Sequence, residues 1–206
     1  MDHTELSSST VGNQDDLRIA RAISWILPPF IVAPLVFVYL ALNHTQSIWF
    51  GWLVWFVTFL ATNVVIGLYV SSMKRRGTTS SIDVPERLKR RRPFMVGVIG
   101  YVAATVILLI IDAPDVVTVL MAIYAVNTTL ATVINQWWKI SIHGMSVGGT
   151  LVPFLYLYGG YWWLLVLAYP LMIYSRVKLR AHTLAQVVAG IAMAFILTWI
   201  QLYILL

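Results

Sequence analysis

Two short segments combine histidine with residues that can hold an anion. The first contains Ser141 and His143, directly before a long apolar stretch. The second begins at Arg176, reaches His182 after five residues and continues to Gln186 at the start of another apolar stretch. Two histidines can supply the nucleophile and the general acid of a phosphoryl transfer through a covalent intermediate. The residue types therefore point to phosphate chemistry.

Anion binding is favoured by the places of these residues in the chain. A helix N-terminus presents unpaired N–H groups and a positive dipole end to an anion. Arg92 and Arg176 offer planar guanidinium groups that match phosphate oxygens. Either arginine could instead serve only membrane topology, because Arg92 lies in the basic run from Lys89 and Arg176 is followed by Lys178 and Arg180.

The second segment resembles the third signature of the type 2 phosphatidic acid phosphatase (PAP2) superfamily, S-R-x5-H-x3-D. Here the chain reads Ser175-Arg176, then His182 after five residues, then Gln186 where the family has Asp. The family's P-S-G-H signature is matched by Ser141 and His143, with isoleucine at its Pro and Gly positions.

The family's first signature, K-x6-R-P, is matched only by Arg92-Pro93. Its lysine position falls on Pro85, while Lys89 lies one helical turn nearer to the arginine. The resemblance covers roughly residues 83–200 and implies a membrane-embedded all-α fold with a PAP2-like core.

The resemblance also implies roles for individual residues. His182 would form a phosphohistidine, and His143 would protonate the leaving alkoxide. The phosphate would be held by Arg92, Arg176, Ser141 and Lys89. The implied substrate is a lipid phosphate or an isoprenyl diphosphate that arrives sideways from the leaflet, and the chemistry needs neither a metal nor another cofactor.

Gln186 is the departure that matters most, because the family's Asp orients the nucleophilic imidazole and stabilises its positive charge. In serine proteases, an amide in place of the corresponding Asp slows kcat by about 10⁴, mostly through the wrong tautomer. Asp83 or Glu86 could replace the missing charge if their loop folds inward.

Two other functions remain open from the sequence. A catalytically inactive scaffold or lipid-binding subunit of a membrane complex would tolerate the altered signatures, and a homo-oligomer is also compatible with them. A transporter would need polar residues at mid-membrane, and Asn63, Asn127 and a few threonines are the candidates.

Composition places all of this chemistry in a membrane. The 206 residues are 60% hydrophobic and only 11% charged, and the mean hydropathy is +0.82. Soluble domains carry about 25% charged residues, so lipid must cover part of this apolar surface. The chain has no cysteine, which excludes disulfides and thiolate chemistry. Its net charge of +6 is confined to short segments between apolar runs, which indicates topology instead of nucleic-acid binding.

The apolar runs predict a transmembrane bundle of six to seven helices, since about 20 apolar residues cross a bilayer. Residues 1–17 are expected to be a disordered cytoplasmic tail, and 18–206 a single membrane domain. The count is seven, or six if either the first span or the helical hairpin broken at Gly159-Gly160 is re-entrant. The predicted passes are 22–43, 48–71, 94–111, 116–138, two within 144–175, and 183–206.

The basic segments predict the orientation. With seven spans, the segments around Arg18, 74–92, Lys139 and 176–180 all fall on one side, while the opposite side carries no Lys or Arg. The positive-inside rule makes the basic side cytoplasmic, and the predicted phosphate site lies on that side. We therefore expect a multi-pass protein, most simply of the plasma (cytoplasmic) membrane.

Overall fold

The computed structural model describes residues 3–81 and 83–206, with side chains from Gln14 onward, and every regular element in those residues is helical. The α-helices are α1 (His3–Ile26), α2 (Pro29–Asn43), α3 (Ile48–Phe59), α4 (Ile66–Arg75), α5 (Arg91–Ile110), α6 (Asp115–Ile134), α7 (Ile142–Thr150), α8 (Val152–Tyr158), α9 (Ala168–Lys178) and α10 (Leu184–Leu205). A π-helical turn, Leu60–Val65, joins α3 to α4. Short 3₁₀ segments, Arg87–Arg90 and Gly160–Leu167, precede α5 and α9.

Five helical stretches are long and apolar enough to cross a bilayer. They are Gln14–Asn43, Ile48–Arg75, Arg87–Ile110, Asp115–Ile134 and Leu184–Leu205. Large apolar side chains such as Leu35, Ile99 and Ile204 project outward from them and are more than half exposed. Apolar surface of this extent needs lipid around it. The all-α prediction is confirmed for the described residues, and the long apolar helices are consistent with an integral membrane protein.

Prolines divide the first of these stretches. The sequence predicts one continuous span over 22–43, but α1 ends at Ile26 and α2 begins at Pro29. Consecutive prolines lack two N–H groups and disfavour helical backbone in the preceding residue, so the helix breaks there. Pro34 stays inside α2 and leaves the carbonyl of Phe30 without its helical donor. Asn63 Nδ2 donates to that carbonyl at 2.6 Å, as predicted for a proline whose neighbouring helix satisfies the freed group.

The predicted hairpin over 144–175 consists of shorter pieces than expected. It comprises α7, α8, the 3₁₀ segment Gly160–Leu167 and α9, none of which is long enough by itself to span a bilayer. The break expected at Gly159 and Gly160 is present, since both have positive φ, of 56° and 52°. Glycine adopts this backbone region without steric cost.

The basic segments meet at one end of the bundle. Lys139 Nζ donates to the carbonyl of Ala181 at 3.0 Å, and Arg176 pairs with Asp83 in the loop before α5. At the other end, His44 contacts Tyr158 at 3.0 Å. These contacts agree with the prediction that the three basic loops share one side.

The N-terminal helix contacts α9 at the basic end of the bundle. The structure places helix from His3, and Asp16 in that helix forms an ion pair with Lys178 of α9. Ser175 Oγ of α9 donates to the carbonyl of Ala20 at 2.6 Å. Packing against α9 therefore holds α1 at the basic end of the bundle.

Glycines bring α7 and α10 into backbone contact. A Cβ at Gly148 would lie 2.5 Å from the carbonyl oxygen of Ile191, and one at Gly144 would lie 2.8 Å from that of Val187. A Cβ at Gly190 would lie 2.6 Å from the carbonyl oxygen of Ser141. The close packing predicted for the α7 glycines is therefore present. It sets the distance between the start of α7 and the start of α10, where the two histidines lie.

Candidate anion site

Ser141 caps α7 and thereby positions His143. Its Oγ accepts a hydrogen bond from the N–H of Gly144 at 3.2 Å, and its own N–H donates to the carbonyl of Gln186 at 3.3 Å. His143 follows in the first turn of α7 and is 9% exposed. Ser141 thus serves the helix start and the α10 contact, and it does not line the cavity that His143 faces. The cap uses only an acceptor lone pair of the Ser141 hydroxyl, so the phosphate-binding role expected for Ser141 stays a prediction.

Gln186 belongs to a capping box at the start of α10. Thr183 Oγ1 accepts from the N–H of Gln186 at 3.3 Å, and Gln186 Oε1 accepts from the N–H of Thr183 at 3.2 Å. A backbone N–H can only donate, so the amide oxygen must face it. The same oxygen lies 3.1 Å from His182 Nδ1.

The capping box therefore decides the tautomer of His182. An amide oxygen accepts but cannot donate, so Nδ1 carries the proton and donates to Gln186 Oε1. The lone pair is then on Nε2, which is the nitrogen left available to the cavity. Gln186 thus orients the imidazole, as the aspartate of the resembling family is expected to, but its side chain is one methylene longer and carries no negative charge.

Arg176 is held from two sides and keeps one donor free. It is 3% exposed, donates through Nη1 to Ser24 Oγ at 2.8 Å and pairs through Nη2 with Asp83 Oδ2 at 3.1 Å. Its buried Nε has no hydrogen-bond partner within the described part of the chain. A buried guanidinium donor without a partner is costly, and an oxyanion would satisfy it.

Arg90, which the sequence analysis does not assign to the site, is the arginine that lines the cavity. It is 4% exposed, and its Nε donates to the carbonyl of Val84 at 2.7 Å. Arg92, assigned from the Arg-Pro signature, is exposed outside the cavity, and so is Lys89, which pairs with Glu86 at 3.3 Å. The structure therefore does not bring these two predicted side chains to the cavity.

Helical periodicity explains why Arg90 replaces Arg92. Pro93, Gly97 and Tyr101 form the buried face of α5, and the same face extended back by one turn reaches Arg90. Two residues correspond to about 200° around a helix, so Arg92 projects to the opposite side. The spacing of the buried residues along α5 therefore identifies the cavity-lining arginine, whereas the position directly before Pro93 does not.

The acidic residues named as possible replacements for the missing aspartate take other partners. Asp83 lines the cavity, but its carboxylate pairs with Arg176 and has no hydrogen bond to His182 in the structure. Glu86 bonds Lys89 and Thr79. Neither supplies charge directly to the imidazole that Gln186 orients.

A single cavity of about 180 Å³ lies next to these side chains, and some of them line it. Its mouth is formed by both histidines together with Arg90 and Asp83, and it continues between the helices toward mid-membrane. The deeper lining is mainly apolar or hydroxyl-bearing and comprises Pro29, Phe30, Thr62, Ile66, Val70, Val84, Pro93, Phe94, Gly97, Tyr101, Tyr124, Asn127, Thr128, Ile142, Met145, Ser146, Gly149, Thr150, Ala194 and Thr198.

The charge at the mouth is predominantly positive. Burial, together with the charges of Arg90, Lys139 and Arg176, lowers the pKa of His182 to about 3, so this imidazole is neutral at physiological pH. Burial and the same two arginines also lower the pKa of Lys139. Burial alone would raise the pKa of Asp83, but its positive neighbours lower it, so its carboxylate stays ionised. Positive groups that oppose further protonation make a site suited to an anion.

The site contains few metal ligands, since no group of three His, Cys, Asp or Glu side chains comes together among residues 3–81 and 83–206. What the arrangement offers chemically is a neutral imidazole with an oriented lone pair, a second imidazole and two buried guanidinium groups. These are the parts of a site that binds a phosphoryl group and can accept it on nitrogen.

No known protein family, curated protein or solved structure matches this chain. Function must therefore be inferred from the residues of the site and their geometry. The similarity of the segment 175–186 to a PAP2 signature remains a prediction.

Proposed function

We propose that this protein is a membrane phosphatase of the PAP2 type, acting on a lipid phosphate or an isoprenyl diphosphate through a phosphohistidine on His182. The observation that carries the proposal is the shared cavity of His143, His182 and Arg90, in which Gln186 leaves Nε2 of His182 unprotonated. In this proposal the chain keeps a PAP2-like core of six to seven spans, with the pieces from α7 to α9 forming the broken hairpin.

The first step forms an N–P bond and breaks an O–P bond. The Nε2 lone pair of His182 attacks phosphorus, while the proton on Nδ1 stays bonded to Gln186 Oε1. Burial and Arg176 lower the pKa of His143 to about 4 in the empty site, so in this proposal His143 takes up a proton when the anionic phosphate binds. It gives that proton to the departing oxygen, which leaves as an alcohol or, from a diphosphate, as a monophosphate. Arg90 and Arg176 stabilise the charge on the transferring oxygens once Asp83 releases Arg176.

The second step consumes one water. His143, now neutral, accepts a proton from the water, which attacks phosphorus and breaks the N–P bond. Inorganic phosphate leaves, and His182 and His143 return to their starting protonation states. The neutral Gln186 stabilises the charged imidazole less than an aspartate would, so we expect slow turnover.

The loss of that charge also favours a second candidate, a catalytically inactive PAP2-like scaffold or lipid-binding subunit. In that case the mouth would bind a phosphate group without transferring it. The two candidates share the anion site and differ in whether His182 becomes phosphorylated.

Phosphate release by purified protein in detergent separates them. The substrate panel would contain phosphatidate, phosphatidylglycerol phosphate and prenyl diphosphates, with His182→Ala as the inactive control. We expect release that His182→Ala abolishes and Gln186→Asp accelerates. Arg90→Gln should reduce release at least tenfold, whereas the matched Arg92→Gln should change it less than twofold. No release from any substrate, even with Gln186→Asp, would reject the phosphatase in favour of the scaffold.

A further inference from the structure

The cavity next to the anion site has an apolar wall where the substrate leaves the phosphate. Val84 follows Asp83, Ile142 precedes His143, and Phe94 lies one helical turn beyond Arg90. Any atoms joined directly to a phosphate at the mouth would contact these three side chains. Hydrocarbon fits such a wall, whereas ester oxygens would lose their hydrogen bonds to water there.

The cavity continues inward between the helices of the bundle. On α5 its lining runs from Arg90 to Tyr101, a rise of about 16 Å for eleven residues of helix. Small residues keep this channel open, among them Gly97 on α5 and Ala194 on α10. The passage is therefore narrow and directed from the basic end toward mid-membrane.

Several polar groups at the inner end are paired, whereas Ser146 Oγ, which also lines the cavity, has no hydrogen-bond partner within the described residues. Tyr124 hydroxyl bonds Thr150 Oγ1, and Asn127 Nδ2 donates to Thr198 Oγ1 at 3.0 Å. Gln201 Nε2 in turn donates to Asn127 Oδ1 at 3.0 Å. Since these groups satisfy each other, an apolar chain end can lie against them without leaving these donors unpaired.

We infer that this cavity, the tail slot, holds one hydrocarbon chain joined directly to the phosphate, so that prenyl and alkyl phosphates are preferred over glycerol-ester lipids. The inference rests on the proposed anion site and narrows its substrate class. An apolar cavity of about 150 Å³ accommodates benzene. With the phosphate at its mouth, the whole cavity of about 180 Å³ therefore takes fewer than about eight carbons, and the rest of a longer chain stays outside it.

Chain-length dependence of binding tests the slot without requiring turnover. The ligands are methyl-, butyl-, hexyl-, octyl- and decylphosphonate, titrated calorimetrically into the full chain in detergent. We expect affinity to rise about fourfold per methylene, the burial gain of one CH₂, and to level off beyond about eight carbons. Dihexanoyl phosphatidate should bind more weakly than hexylphosphonate.

Two pairs of variants distinguish the slot from general partition into detergent. Ala194→Leu fills the slot, so it should weaken the binding of octylphosphonate at least tenfold. The dissociation constant of methylphosphonate should change less than twofold. Ala192→Leu, on the same helix but outside the cavity, should leave the dissociation constants of both phosphonates unchanged. Gly97→Leu and Gly100→Leu form a second pair on α5, since only Gly97 lines the cavity.

The outcomes separate this inference from the phosphatase proposal. Chain-length dependence that both slot-filling variants remove would support the slot, even if no substrate released phosphate. The inference is overturned if the variants and their controls bind octylphosphonate equally, or if no phosphonate binds. It is also overturned if dihexanoyl phosphatidate binds more tightly than hexylphosphonate.

Discussion

Asp83 is the negative side chain at the mouth of the cavity, where it faces Arg176 directly and lies near His143 and Arg90. Its carboxylate is half exposed while the guanidinium of Arg176 is buried. An arriving phosphate must compete with this carboxylate for Arg176. Asp83 thus neutralises part of the positive charge of the cavity mouth, and in the proposed anion site it would lower the affinity for phosphate.

Removal of that charge should tighten anion binding. We expect Asp83→Asn to bind methylphosphonate about tenfold more tightly, because one like-charge repulsion disappears and Arg176 becomes free. Glu86→Gln is the matched control, since Glu86 pairs with Lys89 outside the cavity. Calorimetric dissociation constants would show the difference. Weaker binding by Asp83→Asn would mean that Asp83 instead holds Arg176 in its binding position.

His182 should make the stability of the protein depend on pH. Its pKa is about 3 when folded and about 6.5 in an unfolded chain. Between these values the folded protein binds fewer protons, so the free energy of unfolding decreases as pH falls below about 6.5. The slope from this residue is at most about 1.4 kcal/mol per pH unit.

The measurement is denaturant unfolding followed by tryptophan fluorescence from pH 7.5 to 4.5. His182→Gln should lose stability less steeply than the natural protein as pH falls. His44→Gln, at the opposite end of the bundle, should keep the natural slope. Parallel curves for His182→Gln and the natural protein would show that His182 is not held neutral by the fold.

At the scale of the helices, the contact between α7 and α10 decides whether the two histidines share a site. Each histidine lies at the start of its helix, and α7 and α10 touch through glycine backbone. The N–H of Ser141 also donates to the carbonyl of Gln186, joining the two helix starts directly. A small shift between these helices would separate His143 from His182.

Gly148→Ala tests this contact. The new Cβ would lie 2.5 Å from Ile191 backbone oxygen, so the helices must separate. We expect the free energy of unfolding to fall by about 1–3 kcal/mol, and phosphonate binding to weaken with it. Gly67→Ala, which meets nothing within 4 Å, should be neutral or stabilising by up to about 1 kcal/mol. Detergent-to-SDS unfolding measures both, and equal midpoints would contradict the tight contact.

At the scale of the whole molecule, charge separates the two ends of the bundle. The basic segments meet at the end that carries the anion site, and the turn between α2 and α3 lies at the other. The positive-inside rule then predicts a cytoplasmic anion site. Because the chain has no cysteine, single introduced cysteines report the orientation without background.

We expect a membrane-impermeant maleimide to label Gln46→Cys in intact cells that express the protein. Thr78→Cys, in the exposed loop after α4, should be labelled only after the cells are permeabilised. The reverse pattern would place the anion site on the outer face.

The membrane location and the helical class followed from the sequence alone, because apolar runs of about 20 residues leave lipid-embedded helices as the stable solution. The bond between His182 and Gln186 was also expected, because the resemblance of 175–186 to the PAP2 signature implies that the residue at position 186 orients the imidazole. The local sequence also indicated the break at Gly159-Gly160 and the close packing of the α7 glycines.

Tertiary structure decided which cations belong to the site. Arg90 and Arg92 have the same chemistry and lie two residues apart, so only the burial of one face of α5 distinguishes them. Likewise, Asp83 meets Arg176 across 93 residues of chain, a contact that no local pattern encodes. The opposing charge of Asp83 and the tail slot arise from contacts between segments distant in sequence, and these depend on the packing of the whole bundle.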